Sequence, residues 1–400
     1  MAKRRRRRRR TPAAPLGAGE APDPGNIRTP QSPPQRDPPR KVAPGPGRSI
    51  ERFAALDLGT NNCRLLIASP RGRGFRVFDA FSRIVRLGEG LTASGALSPA
   101  AMDRTMEALR ICADKIDRRG VTRKRCIATQ ACRAASNGEE FLARVRQETG
   151  LEFEIITPAE EARLAVAGCA ELLDPSAKAG LIFDIGGGST EISWLKMNRR
   201  RSNGGGMQQE VVAWTSMPIG VVSLSEQFGG RDLSRSTYED IVAHLRSEIA
   251  SFGDPAAIRP HFDAAEAHFL GTSGTVTSIA GVFLGLSRYR REAVDGLWLS
   301  ADDVREVTER LRSMSFEERA NEPCIGVERA DLVVGGCAIL DALLLEWPSR
   351  RIRVADRGLR EGMLAGLARE HNRERSRSRA KRRNRTSGRV NRPTGDMDRG

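Results

Sequence analysis

The sequence predicts an α/β protein with two related halves, each built on a β-sheet, on either side of a central cleft. Short apolar runs alternate with stretches of helical period along most of the chain, which is typical of sheets covered by helices. An apolar strand that ends in Asp-X-Gly occurs twice, at Asp57-Leu58-Gly59 and at Asp184-Ile185-Gly186, 127 residues apart. A repeat at that separation indicates an internal duplication on the scale of a domain.

The first half, residues 49–175, is predicted to begin with a three-stranded meander, because three β-rich runs follow one another with glycine-containing turns between them. Ser98 is suited to cap the helix that comes next, in which apolar residues recur at near-helical spacing. The elements predicted here are strands at 53–58, 64–68 and 75–85, a helix at 99–117, a strand at 125–129, a helix at 139–148, a strand at 153–156 and a helix at 160–173.

The second half, residues 176–369, restarts the same pattern, as a duplication predicts. Its predicted elements are strands at 181–185, 191–195 and 211–215, followed by helices at 237–251 and 275–284.

The net charge of +16 comes from the two ends of the chain. Residues 1–48 hold 13 Lys/Arg against 3 Asp/Glu, and residues 370–400 hold 11 against 4. The first end also has the arginine run 4–10 and 11 of the 21 prolines, and the second has almost no aliphatic residues. Such compositions bury too little apolar surface to offset the entropy of ordering. Both tails are therefore predicted to be disordered, with weak affinity for RNA or other polyanions.

Composition also excludes several classes of protein. No apolar run reaches the roughly 18 to 20 residues that a membrane-spanning helix needs, so no membrane association is expected. Seven cysteines without a C-x-x-C pair suggest neither a disulfide framework nor a zinc site, and the four histidines lack ligand spacing. We therefore expect a protein of the reducing cytoplasm.

The first Asp-X-Gly turn has the residue types of a phosphate site. Asp57 leaves its strand into Gly59, Thr60, Asn61 and Asn62, so a carboxylate lies beside backbone N–H groups and polar side chains. Such a turn suits a phosphate bridged by a metal ion. A structural turn within a hairpin explains this motif equally well, and both interpretations stay open.

The second turn is more specific, because three successive glycines remove every Cβ that would keep the backbone from a phosphoryl group. A simple hairpin needs only one or two glycines. Asp184 and Glu191 add the hard oxygen ligands that Mg²⁺ prefers, so a metal is expected here as well. The predicted phosphate-binding residues of this turn are Gly186, Gly187, Gly188, Ser189 and Thr190.

A third glycine-rich turn, at 269–277, follows a strand and opens a helix, so its free N–H groups can face an anion. Its predicted phosphate-binding residues are Gly271, Ser273, Gly274 and Thr275. Two phosphate turns from duplicated halves, with a third beside them, resemble the actin-like ATPase superfamily, whose domains have an RNase H-like fold.

Further motifs resemble those of the exopolyphosphatase and guanosine pentaphosphate phosphohydrolase family, in its short two-domain form. The resemblance covers residues 53 to 366, approximately the whole predicted body. The motifs are A-L-D-L-G-T-N-N at 55–62, A-T-Q-A-C-R-A-A-S-N at 128–137, I-T-P-A-E-E-A-R-L at 156–164, F-D-I-G-G-G-S-T-E at 183–191, G-T-S-G-T at 271–275 and D-R-G-L-R-E-G-M at 356–363.

This resemblance implies a hydrolase that uses Mg²⁺ and water to cut the terminal phosphoanhydride of inorganic polyphosphate or of guanosine pentaphosphate. By position in the motifs, Glu161 falls on the general base and Arg133 on an arginine for the transferring phosphoryl group. Asp184 would anchor the metal with help from Asp57 and Glu191. Without the resemblance, Glu160 and Glu161 would be interpreted as an acidic pair at a helix start. A weakly catalytic nucleotide sensor or RNA-associated scaffold is the alternative, and a homodimer is one expectation for the assembly.

Overall fold

The computed structural model describes residues 51–72, 74–201, 207–231, 233–253 and 258–387, which form two β-sheets covered by helices. The predicted disordered segments at 1–48 and 388–400 lie outside the described residues. Within the described part of the chain, no helix is both long and apolar enough to cross a membrane. All seven cysteines are buried free thiols in this structure.

The first sheet and its helices form what we call the first lobe. Its strands are β1 (Phe53–Leu58), β2 (Asn62–Arg71), β3 (Gly74–Ile84), β4 (Arg123–Ala128) and β5 (Phe153–Ile155), and its helices are α1 (Leu91–Ser94), α2 (Pro99–Arg118), α3 (Gln130–Ala134), α4 (Gly138–Thr149) and α5 (Pro158–Cys169). The strand order is β3-β2-β1-β4-β5. All the predicted elements are confirmed to within a few residues, and the short helices α1 and α3 were not predicted.

The second sheet and the helices packed on it form the second lobe. Its strands are β6 (Ala179–Ile185), β7 (Thr190–Arg201), β8 (Met207–Met217), β9 (Ala267–Thr272), β10 (Trp298–Ser300) and β11 (Arg351–Ala355). The strand order is β10-β11-β9-β6-β7-β8. The helices of this half are α6 (Val221–Phe228), α7 (Arg235–Ser251), α8 (Arg259–Asp263), α9 (Gly274–Phe283), α10 (Arg291–Val294), α11 (Ala301–Ser313), α12 (Phe316–Asn321), α13 (Val333–Glu346) and α14 (Leu359–Ser387).

The two sheets share the topology of five strands, as the duplication predicts, and the second sheet has β10 as an additional edge strand. β1 is antiparallel to β2 and parallel to β4, and β6 is likewise antiparallel to β7 and parallel to β9. The hairpins also agree in register, because Asp57 is opposite Arg64 in the first and Asp184 is opposite Glu191 in the second. Each sheet therefore brings its acidic turn to the same end.

Helix α5 begins two residues earlier than predicted, and its first turn explains why. The Thr157 hydroxyl accepts a hydrogen bond from the Glu160 N–H, so Thr157 is the N-cap. Pro158 occupies the first helical position, where its missing N–H has no cost. This start places Glu160 and Glu161 in the first turn of the helix.

The C-terminal helix corrects two predictions. Residues 370–387 were predicted to be part of a disordered tail, but α14 continues through them, and Glu374 there pairs with Arg123 of β4. The helix was also assigned to the second half, yet its apolar residues pack on the first sheet. They join a cluster with Phe53, Ala55 and Leu164. Burial of these apolar side chains favours the position of α14, and glycine permits the close approach, because a Cβ on Gly362 would lie 2.1 Å from the carbonyl oxygen of Leu164 in α5.

Candidate active site

Two equivalent turns, one from each lobe, form the centre of the site. In the first, the Gly59 N–H donates to the carbonyl oxygen of Asn62 over 2.9 Å. In the second, the Gly186 N–H donates to the carbonyl oxygen of Ser189 over 2.8 Å. The duplication thus extends to the hydrogen bond that closes each turn.

The two turns approach each other so closely that a side chain at Gly187 or Gly188 would crowd the opposing turn. A Cβ on Gly187 would lie 3.1 Å from the backbone nitrogen of Asn61, and one on Gly188 would lie 2.8 Å from Oγ1 of Thr60. These glycines were predicted to make room for a phosphoryl group. In this structure the opposing turn also lies close beside them.

A cavity of about 130 Å³ lies where these turns meet the third glycine turn and the start of α5. Carboxylates from both lobes, hydroxyl groups and backbone amides form its wall. The predicted site residues that line it are Asp57, Gly59, Thr60, Asn61, Asn62, Glu161, Asp184, Gly186, Gly187, Gly188, Ser189, Glu191, Ser273, Gly274 and Thr275. The tertiary structure therefore brings together three turns that are far apart in the sequence.

Three predicted site residues lie outside this wall. Thr190 is fully buried and its hydroxyl donates to the carbonyl oxygen of Ile219, so it holds the chain before α6. Gly271 packs under the ring of Phe183, where an added Cβ would lie 2.4 Å from Cζ of that ring. Arg133 lies behind Glu161 instead of facing the cavity. For Thr190 and Gly271 the role that the structure shows is packing, which a motif alone does not distinguish from binding.

The third turn contains a strained residue. Ser273 has φ 111° and ψ 176°, a conformation that favours glycine, and its buried Oγ has no hydrogen-bond partner among the described residues. Strained backbone and unpaired polar atoms often occur at binding sites. Gly274 and Thr275, which also line the cavity, begin α9. Unpaired N–H groups at a helix start suit an anion.

Glu161 has the environment expected of a base. Its side chain is 7% exposed, and both Nη atoms of Arg133 contact its Oε2, at 3.3 and 3.4 Å. Oε1 has no hydrogen-bond partner among the described residues. Burial raises the pKa of the Glu161 carboxyl well above its usual value, and Glu191 raises it further, whereas Arg133 lowers it. A raised pKa brings a carboxylate closer to the range in which it can accept a proton from water.

Glu160, the neighbouring acid, has a different environment. Its carboxylate pairs with Arg163 at 2.7 Å and with Arg125 at 3.1 Å, and these hydrogen bonds lower its pKa. It does not line the cavity. The helix thus directs one acid of the pair into the site and the other to surface arginines.

Three further carboxylates line the cavity. Burial raises the pKa of Asp57, while Arg64 and Arg360 lower it. Burial and the Glu191 carboxylate raise the pKa of Asp184 to about 7. The pKa of Glu191 is also raised by burial, although its Oε1 accepts hydrogen bonds from Ser189 at 2.7 Å and Ser216 at 2.9 Å. Such a concentration of buried negative charge favours the binding of a cation.

The donor chemistry fits Mg²⁺. Carboxylate oxygens line the cavity, and the buried Oδ1 atoms of Asn61 and Asn62 have no hydrogen-bond partner in the described chain. As the described side chains lie, no three His, Cys, Asp or Glu residues form a group that could hold an ion. Mg²⁺ usually binds through one or two carboxylates with substrate phosphates and water, so it does not require such a group.

Two arginines that line the cavity were not predicted. Arg64 stands seven residues after Asp57, just as Glu191 stands seven residues after Asp184, so comparing the two repeats would have identified it. Arg329 lies in the loop before α13, and no motif marks it. Other lining residues that sequence reasoning missed are Thr129, Gln130, Ser278 and Leu359.

Comparison with known proteins identifies relatives that match over most of the chain. The family model of the Ppx/GppA phosphatase family matches residues 66–371. Exopolyphosphatase 2 of Mycobacterium tuberculosis is 30% identical over 334 residues, which cover 80% of this chain and 99% of that protein.

Solved structures agree with this result. The crystal structure of the Aquifex aeolicus member of the Ppx/GppA family is 28% identical, with a TM-score of 0.65, and the match covers 80% of this chain and 99% of that one. A crystal structure of an exopolyphosphatase-like protein is 27% identical with a TM-score of 0.70, again over 80% of this chain and 99% of that one.

Proposed function

Since the chain belongs to the Ppx/GppA phosphatase family and is a phosphoanhydride hydrolase, we propose that it removes the terminal phosphate of inorganic polyphosphate. The reaction would use Mg²⁺ in the cleft and a water molecule activated by Glu161. The observation that supports this most directly is the position of Glu161, a buried carboxylate with one unpartnered oxygen, in the wall shared with both phosphate turns.

Glu161 is the general base in this proposal. Arg133 engages Oε2, which leaves Oε1 available for a hydrogen bond from the attacking water. Hydrolysis of a phosphoanhydride needs one group that orients the water and accepts its proton. Arg133 then acts as a positioning residue, because it fixes the orientation of the carboxylate and limits the rise of its pKa.

The other lining residues would bind the phosphates. Amides of the glycine turns, the Ser273 hydroxyl and the guanidinium groups of Arg64 and Arg329 supply the hydrogen-bond donors. One or two of the carboxylates of Asp57, Asp184 and Glu191 would hold Mg²⁺ together with substrate phosphates and water, and the bound ion would neutralise phosphate charge. Because phosphoryl transfer depends mainly on positioning and charge neutralisation, this set is sufficient for the chemistry.

Guanosine pentaphosphate is the second candidate substrate, and one observation favours it. A cavity of about 160 Å³ adjoins the catalytic cavity, with Thr60, Gln130 and Gly188 in both walls. Its wall includes apolar groups of Leu91 and Val222, one acid, Glu226, and no Lys or Arg. A partly apolar wall without cationic groups suits an uncharged group such as a nucleoside better than a continuing polyanion.

A substrate panel tests both candidates. We expect phosphate release from long-chain polyphosphate in the presence of Mg²⁺ and none after chelation. Tripolyphosphate, guanosine pentaphosphate and ATP complete the panel, and Glu161→Gln is the control for a contaminating phosphatase. A ratio of kcat/KM that favours guanosine pentaphosphate over polyphosphate would select the second candidate. If none of the four compounds releases phosphate in a Mg²⁺-dependent manner, the proposal is contradicted.

The positive charge of the N-terminal arginines allows a further test, which concerns the electrostatic contribution to polyphosphate binding. Lysine and arginine side chains bind polyanions through counterion release, which weakens steeply as salt rises. We expect deletion of residues 1–48 to raise the KM for long polyphosphate at low salt and to have no effect at high salt. A loss of affinity that is independent of salt would contradict this electrostatic account.

A further inference from the structure

Arg86 of the first lobe reaches across the cleft and binds the second lobe. Its Nη1 donates to Oδ2 of Asp331 and its Nη2 to Oδ1, both over 2.9 Å. Nη2 also donates to the carbonyl oxygen of Glu328 over 3.0 Å. The side chains of Arg86 and Asp331 are 30% and 18% exposed, so the pair is partly shielded from solvent. Bidentate pairs of this type are strong and specific in geometry.

The backbone of Arg86 is attached to the first phosphate turn. Its N–H donates to the carbonyl oxygen of Asn61 over 3.1 Å, and Arg104 donates to its carbonyl oxygen over 3.3 Å. Its φ of 46° lies in the left-handed region, where a residue with a Cβ is disfavoured. The side chain of Arg86 is therefore held at a constrained position next to the turn that contains Asn61.

The Arg86 guanidinium binds two residues that flank Arg329 in the chain. Glu328 precedes Arg329 directly, and Asp331 follows two residues later. Arg329 lines the catalytic cavity, and its guanidinium forms no hydrogen bond or ion pair with another described residue. No such bond therefore fixes this guanidinium, and its position depends on the loop that contains it. Arg86 is bound to that loop.

We propose that Arg86 is a positioning residue that holds Arg329 in the catalytic cavity. The pair with Asp331 ties the loop of Arg329 to the first phosphate turn, so it links phosphate-binding groups of the two lobes. A second bond between the lobes, from the Gly90 N–H to Glu226 over 2.7 Å, would remain without Arg86. This inference rests on the proposed function, because Arg329 is assigned to phosphate there.

A double-mutant cycle between Arg86 and Arg329 tests the inference. We compare kcat/KM for phosphate release in the full chain, Arg86→Gln, Arg329→Gln and the double variant. The loss of one hydrogen bond to a charged group costs enough free energy to lower kcat/KM about ten-fold. We expect that loss from Arg86→Gln in the native background and no further loss in the Arg329→Gln background, since Arg86 acts through Arg329.

Three further variants separate positioning from folding. Arg86→Lys keeps the charge but loses the bidentate geometry, so we expect only partial activity. Asp331→Asn should reproduce Arg86→Gln. Arg144→Gln is the matched control, because Arg144 also pairs with two acids, Asp103 and Glu148, but within one lobe and far from the cavity. It should leave kcat/KM unchanged, and circular dichroism should show all these variants folded.

Several results would overturn the inference. If Arg86→Gln lowers kcat/KM equally in the native chain and in the Arg329→Gln variant, Arg86 does not act through Arg329. If Arg86→Gln is fully active while Arg329→Gln is impaired, the inference about Arg86 is overturned and the assignment of Arg329 stands. An Arg329→Gln variant with full activity would overturn both it and the assignment of Arg329. If the native chain releases no phosphate, the proposed function fails. The same cycle is then measured on the affinity for inorganic phosphate, with the same criteria.

Discussion

Nη1 of Arg133 lies 3.3 Å from Oε2 of Glu161, and this contact links two motifs that the sequence separates by 28 residues. Arg133 is also held by the carbonyl oxygen of Ile156 at 2.7 Å and by Oε1 of Gln130 at 2.6 Å. The guanidinium is thus fixed on three sides, and it orients a carboxylate that would otherwise be free to rotate. Two predictions concern this pair.

Glu161→Gln should reduce phosphate release by about 100-fold to 10,000-fold, the usual contribution of a general base. Glutamine keeps the size of the side chain but cannot accept the proton, so substrate affinity should stay close to native. Single-turnover phosphate release and equilibrium binding together measure the two effects. Glu160→Gln is the matched control, because Glu160 pairs with surface arginines and should tolerate the change. Native turnover in Glu161→Gln would remove this residue from the mechanism.

Arg133→Gln should change the pH dependence of kcat/KM. A base acts in its deprotonated form, so activity falls as pH decreases through its pKa. The Arg133 charge lowers the pKa of Glu161, and its removal should raise that pKa further. The acidic limb of the pH profile should therefore move to higher pH, with an intermediate position for Arg133→Lys. An acidic limb that does not move would show that another group controls it.

Two glycines of α14 should respond in opposite directions to alanine. At Gly362 a Cβ would lie 2.1 Å from the carbonyl oxygen of Leu164, so Gly362→Ala must push α14 away from α5. We expect a loss of about 1 to 3 kcal/mol in the free energy of unfolding, as overpacking usually produces. At Gly366 a Cβ would have no neighbouring atom within 4 Å, so Gly366→Ala should stabilise the helix by up to about 1 kcal/mol. Urea unfolding measures both, and similar effects at the two sites would contradict this packing of α14 on α5.

His268 should make the protein less stable in mild acid. Its side chain is 3% exposed, and Nδ1 accepts a hydrogen bond from the Asp174 N–H over 2.7 Å. Burial lowers its pKa from 6.5 to about 4. Between these two values the unfolded chain binds a proton that the folded chain does not, so stability falls as pH decreases from 6.5 to 4, by about 3 kcal/mol in total.

The variant His268→Asn tests this origin of the acid sensitivity. Its Oδ1 can replace Nδ1 as the acceptor for Asp174, but it cannot titrate. The variant should lose some stability at every pH, because the ring also stacks on Trp298. Its free energy of unfolding should nevertheless depend less on pH between 6.5 and 4. An equal dependence in both proteins would assign the effect to other groups.

Local sequence was sufficient to predict most elements of the first lobe and the glycine turns, whereas β10, β11, α6, α8 and α10 to α14 were not predicted. The strands β1, β2 and β6 and the helices α2 and α5 were predicted because short-range periodicity and capping determine them. The same reasoning could not separate Thr190 and Gly271 from the residues that line the cavity. In a glycine-rich strand–turn motif, packing against Phe183 and binding of a ligand require the same small residue.

The sequence by itself determined the duplication, the two acidic glycine turns and the acidic pair at the start of α5, because each depends on residues close together in the chain. Only the tertiary structure decided that α14 returns to the first lobe, that Arg133 supports Glu161 from behind, and that Arg329 joins the cavity. These relationships depend on contacts between distant segments, and such contacts are selected by the packing of whole lobes. No local pattern in the chain specifies them.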